Sequence, residues 1–133
     1  MIQKLQSLIE RLSKELPGIL AAAVVTVDDG MSIAAVRRRE DIETDAASAY
    51  LASIVRSNAK AIRLLADDEE VDDILVTTSH YHFIIRHTPG QPFFIFVMTT
   101  KDEWLAKSRM LIRKYEVQFA QFAEYYRRNY GEE

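Results

Sequence analysis

DAASAYLASIVRSNAKAIRLLA, residues Asp45 to Ala66, is the stretch whose reading decides the fold. At about 100° per residue, Ala47, Leu51, Ile54, Val55, Asn58, Ala61, Ile62 and Leu65 share one broad, mostly apolar side of a helix. That side is expected to lie on a sheet. Asp45, Arg56, Lys60 and Arg63 gather in a strip roughly 60° wide on the opposite side, which leaves two uncharged flanks. One holds Ser48, Ala52, Ala59 and Ala66; the other holds Ala46, Tyr50, Ser53, Ser57 and Leu64. Small residues repeating at such spacings let a second helix approach at the short end of the usual range of about 8–10 Å. The expectation is a helix that packs on its own sheet and also on a second copy of itself. Alanine is also the best helix former, and on that plainer reading the flanks face water.

The rest of the chain limits what the helix can belong to. The 133 residues, 48% hydrophobic and 28% charged, fit a single domain, residues 1–133, with a real core. The longest uncharged apolar runs, Gly18 to Val27 and Pro89 to Thr100, fall short of the roughly 20 residues of a membrane span. No membrane insertion is expected. The opening MIQKLQSLIERLSKEL scatters its charges through an amphipathic pattern, unlike a secretory leader, so a cytoplasmic location is expected. Cysteine is absent, which removes disulfides, thiolate nucleophiles and cysteine-ligated metals. A net charge of -3 argues against nucleic acid as a partner.

In order, Ile2, Leu5, Leu8, Ile9, Leu12 and Leu16 have helical spacing, and Pro17-Gly18 ends that helix. Leu20 to Val27 is a strand apolar on both faces, which must be covered on both. Asp28, Asp29 and Gly30 turn the chain into a second strand, Met31 to Val36. Arg37, Arg38 and Arg39 lead to the long helix, with Thr44 read as its N-cap. The acidic run Asp67 to Glu70 is a loop, since it would sit badly at a helix C-terminus. Asp73 to Ser79 and Tyr81 to Arg86 read as a hairpin, and a turn at Pro89-Gly90 leads to Phe93 to Met98, expected at the centre of the sheet. Thr100 and Glu103 have capping-box spacing and open a last helix. Running to Asn129 it would be about 43 Å long, so it should overhang after about residue 122. Tyr125, Tyr126 and Tyr130, with Arg127 and Arg128, would lie on that overhang.

The order α-β-β-α-β-β-β-α describes an α+β sandwich: a five-stranded antiparallel sheet with the middle helix on one face and the terminal helices on the other. The chain resembles the roadblock family of dynein light chains and their prokaryotic relatives. The resemblance rests on Leu16-Pro17-Gly18-Ile19, the small-apolar strand Ala21 to Val27, the Asp28-Asp29-Gly30 turn and the alanine-rich helix Ala46 to Ala66. Two departures are the absence of glycine at Ser79-His80 and a final helix longer than short members need.

The resemblance implies a roadblock-like (profilin-like) fold and a non-enzymatic homodimer with antiparallel middle helices and joined third strands. Ala46, Ala49, Tyr50, Ala52, Ser53, Ser57 and Leu64 of the helix, with Leu75 and Thr77 of the third strand, would then form the dimer seam. It further implies binding and regulation of a small Ras-like GTPase, or scaffolding of its complex. Arg56, Lys60 and Arg63 would offer charge to that partner, although a solvated helix face is the commoner role of such residues.

Enzymatic motifs find no support in the residues. The four glycines, Gly18, Gly30, Gly90 and Gly131, form no phosphate cradle, and no serine sits in a nucleophile elbow. Neither a cofactor nor a metal is expected. His80 and His82 are two apart on a strand with His87 beyond, but zinc would want further converging ligands. Arg37, Arg38 and Arg39 could supply an arginine finger to a GTPase; beside Glu40 and Asp41 a local salt-bridged connection is the commoner role. A competing reading is a small-ligand sensor with a pocket between sheet and helix, lined by Tyr81, Phe83, Phe94 and Phe96.

Overall fold

Leu5, Leu8, Ile9 and Leu12 recur at helical spacing and are buried, which sets the inner face of α1 (Ile2–Lys14). The computed structural model describes residues 2–88 and 90–130. Pro89 and Gly131 lie outside the described residues, as do the side chains of Ile2, Tyr126, Arg127 and Tyr130.

After α1 come β1 (Ile19–Thr26), β2 (Ser32–Arg37), α2 (Thr44–Leu65), β3 (Ile74–Thr77), β4 (Tyr81–Arg86), β5 (Phe93–Thr100) and α3 (Leu105–Tyr130). The sheet is antiparallel in the order β2-β1-β5-β4-β3. Phe93 to Met98 is therefore central, and β2 and β3 are the edges. Strand periodicity sorts the core into two layers. Ile19, Ala22, Val24, Ile84, Phe93, Ile95 and Val97 face α1 and α3, where Ile112, Tyr115, Phe119 and Phe122 complete the layer. Ala21, Ala23, Val25, Ile85, Phe94, Phe96 and Met98 face α2. The expected sandwich is the observed one.

The β1–β2 turn shows why glycine stands at position 30. Gly30 has φ +69°, and a Cβ there would lie 2.6 Å from the Cα of Ala49. Chain reversal and the close passage of α2 both require it. Thr26 and Asp29 tighten the same turn: the Thr26 hydroxyl donates to the Asp29 carboxylate, and the Met31 N–H donates to Thr26 Oγ1 at 3.0 Å.

Two capping expectations need correction. Glu43, not Thr44, is the N-cap of α2, and no side chain caps it; the Thr44 carbonyl accepts the Ser48 hydroxyl instead, at 2.7 Å. Thr100 does not open α3 either. It ends β5, opposite Tyr81, with its N–H donated to the Gly18 carbonyl at 2.9 Å. Glu103 accepts the Gly18 N–H at 2.8 Å, so a residue read as half of a local cap ties two distant connections together. The 26 residues of α3 span about 39 Å at about 1.5 Å each. Among the described side chains, the last buried one on this helix is Phe122.

Candidate partner-binding surface

α2 turns a different side to the sheet from the one its apolar residues mark out. The buried positions are Ser48, Ala52 and Val55, with Leu51, Asn58, Ala59, Ile62 and Ala66 half-buried beside them. Ile54, read as sheet-facing, is 43% exposed and Leu65 is 82% exposed. The reason is shape. β1 offers Ala21 and Ala23 to the helix, and Gly30 lets the backbone of Ala49 come close, so small residues fit beneath the helix and large ones are turned out.

This rotation redistributes the candidate seam residues. Ala52 is fully buried against the chain's own sheet and offers no surface to a partner. Ala49 sits against the β1–β2 turn. Ala46, Tyr50, Ser53, Ser57 and Leu64 are exposed on the outer face, Tyr50 at 75% and Leu64 at 81%. With Ile54 and Leu65 they make an uncharged outer face the length of the helix. Large apolar side chains grouped on a surface in this way mark interaction sites.

The three cations do not behave as a set. Arg56 is spent within the chain: its Nη1 donates to the Val27 carbonyl and, at 3.1 Å, to that of Asp28, which clamps α2 to the β1–β2 turn. Lys60 and Arg63 are exposed, and among the described residues neither makes an ion pair. The strip is a flank of α2 and does not lie opposite the sheet. Arg37 donates to the carbonyls of Glu40 and Ile42, Arg38 to those of Pro17 and Ser13, and Arg39 pairs with Asp41 at 3.2 Å. All three are tied to local structure.

The sheet face under α2 is only partly covered. Five strands about 4.8 Å apart are roughly twice as wide as one helix of about 10–12 Å. α1 and α3 share the other face, whereas α2 lies alone, against β1 and β2. Toward β4 and β3 the same face presents Tyr81 and Phe83, half-buried, and Val76, 43% exposed. Sequence reasoning passed over Val76 and set Ile54 and Leu65 on the sheet side; the β3–β4 register pairs Val76 with Phe83, and the orientation of α2 leaves Ile54, Leu65 and Val76 open. β3 is an edge strand, and its Leu75, 41% exposed, and Thr77 pair with Ile84 and His82 and so belong to the other face of the sheet. Such an edge is a template for another strand.

An ion network holds β3 in place. Asp73, 4% exposed at its side chain, accepts from Arg86 at 3.0 Å and from Arg109 of α3 at 2.6 Å. Arg86 also donates to Glu116 at 3.0 Å, and the Thr88 hydroxyl donates to the same carboxylate. Burial disfavours the charged guanidinium of Arg86 more than any single neighbour favours it, yet the hydrogen bonds to Glu116 and Asp73 together hold its pKa above the ordinary value.

The remaining candidates are not brought together. His80 lies in the β3–β4 turn, His82 within β4 and His87 beyond its other end, where Nε2 contacts the Gln91 carbonyl at 2.8 Å. Among the described residues no three His, Cys, Asp or Glu side chains are grouped to hold a metal ion. Tyr81, Phe83 and Phe96 pack on one another, Phe83 stacked on Phe96 at 6.2 Å, and Phe94 is buried. The groove between helix and sheet is lined elsewhere, by Val55, Ile62, Ile74 and Ile85. No described helix is long and apolar enough to cross a membrane.

Comparison by sequence finds no matching family model and no matching curated protein. Comparison by structure does. Myxococcus xanthus MglB superposes with a TM-score of 0.83 at 15% identity, over 92% of this chain and 90% of that one. A Roadblock/LC7 domain from Streptomyces avermitilis gives 0.72 at 16% identity, over 86% and 97%. The gliding protein MglB of Thermus thermophilus gives 0.68 at 16% identity, over 89% and 87%. What is shared at these identities is the architecture, and the chain has the roadblock fold.

Proposed function

We propose that the protein is a non-enzymatic, cytoplasmic homodimer that binds and regulates a small Ras-like GTPase or scaffolds its complex. The observation that carries this reading is the uncovered half of the sheet beside an apolar, outward-facing α2. One helix does the work that two do on the other face. A second copy set antiparallel would lay its own α2 over Val76, Phe83 and Tyr81 and bring its β3 edge against this one. Ile54, Leu65 and Tyr50 would then lose contact with water, at roughly 25 cal/mol per Å² of apolar surface.

The GTPase follows from the roadblock resemblance and from the position of Lys60 and Arg63, exposed cations beside the outer face of α2 that make no ion pair among the described residues. Two copies would present them on one platform. Switch segments held there in one conformation would regulate the GTPase with no catalytic residue contributed, which suits arginines already tied to their own chain. The experiment is a pull-down from native extract with and without a non-hydrolysable GTP analogue. The reading expects a small GTPase whose capture depends on the analogue and is lost in Lys60→Glu/Arg63→Glu. Recovery of no small GTPase under either condition contradicts it.

A further inference from the structure

A second surface lies apart from the outer face of α2. Between the C-terminal half of α2, the loop that follows it and the ends of β3 and β4 runs an open groove of about 360 Å³. Its floor is apolar: Val55, Ile62, Ile74 and Ile85, with Val71 at the side. Its rim is Asp67, Asp68, Glu69 and Glu70, four consecutive exposed residues. Among the described residues none of these four carboxylates is in an ion pair, whereas Asp72, Asp73 and Glu116 nearby in space or sequence are all paired. The C-terminal end of α2, the negative pole of its dipole, points into the same region. Arg63 and His87 are the basic side chains in the lining, too few to balance the rim.

We propose that this groove is a docking site for a segment of a partner protein in which a large apolar side chain is flanked by lysine or arginine. The size lies within the range of sites that hold ligands, about 300–1,000 Å³, and the floor suits one apolar anchor. The rim decides the occupant. Four charges spread along consecutive residues exceed what one small amine can meet, and match a chain carrying several cations. The acidic rim belongs to the loop after α2 and is not among the residues given to the dimer contact above.

The test is panning of a random dodecapeptide display library on the full chain, counter-screened on the variant Asp67→Lys/Asp68→Lys/Glu69→Lys/Glu70→Lys. The changed side chains are solvent-exposed, and circular dichroism and light scattering confirm that fold and mass are kept. Expected are peptides with basic residues around a large apolar one, bound at least about tenfold more tightly by the wild type than by the variant. Their affinity falls with added salt, and on the wild type they shift the backbone amide signals of Val71, Ile74 and Ile85. Panning that enriches nothing over the variant overturns the proposal. So do peptides without basic residues, or amide shifts confined to another surface of the wild type.

Discussion

The backbone of Ala49 passes so close to Gly30 that a Cβ on the glycine would lie 2.6 Å from the Ala49 Cα. This contact sets the height of α2 above the sheet and therefore which of its residues are hidden. Gly30→Ala meets both a left-handed φ, which costs about 1–2 kcal/mol for an L-residue, and a backbone obstruction, with overpacking adding about 1–3 kcal/mol. Urea unfolding should show a loss near the sum. Gly90→Ala is the control: φ is +85° but an added Cβ would meet nothing within 4 Å among the described residues, so only the conformational cost of about 1–2 kcal/mol is expected. Equal losses in the two variants would contradict the close passage.

Arg56 and its two neighbours on the flank should separate by readout. Arg56→Ala removes hydrogen bonds to the carbonyls of Val27 and Asp28 and should lower stability by about 1–2 kcal/mol. Lys60→Ala and Arg63→Ala should stay within about 0.5 kcal/mol of wild type, as exposed substitutions do. Thermal melts in parallel check this.

How much of this was legible in the sequence depended on the kind of physics involved. Element order and the β3–β4 hairpin follow from periodicity and turn residues, and the central place of β5 from its hydrophobicity, and these were readable; the pairing of β1 with β5 was not. The face of α2 was not. Hydrophobicity placed Ile54 and Leu65 on the sheet, while the structure places Ser48 and Ala52 there, because fit against Ala21, Ala23 and Gly30 outweighs apolar area. A helical wheel ranks residues by polarity and carries no information on how near the opposing surface comes. Thr100 and Glu103 failed as a cap for a related reason: both are used by Gly18, 82 and 85 positions away, contacts that no local spacing encodes. Val76 was not singled out in the sequence; its place beside Phe83 comes from the β3–β4 register, and its exposure from the helix orientation.

Asp73 is the pin of the edge strand. Removing one partner of a buried ion pair costs about 3–5 kcal/mol in general. Asp73→Ala should cost less, about 2 kcal/mol, since Arg86 keeps Glu116 and Arg109 is partly exposed. Hydrogen exchange should show the loss concentrated in the amides of β3.

Glu15 gives the acid limb of stability a specific contributor. The Tyr115 hydroxyl, then Lys114, hold its carboxylate below the ordinary value of 4.5. A folded-state pKa below the unfolded one contributes stability that is present above the unfolded pKa and lost as pH falls through the folded one. Urea midpoints measured from neutral pH downward should fall less steeply in Glu15→Gln than in wild type. Parallel curves would show that the pair contributes nothing.

The central claim is that a second copy covers the open half of the sheet beside α2. Light scattering at micromolar concentration tests it most directly. The account predicts a wild-type particle of twice 15.3 kDa, reduced to single-chain mass with retained secondary structure in Ile54→Arg/Leu65→Arg. A wild-type particle of 15.3 kDa, with Ile54, Leu65 and Val76 open to water, would contradict it.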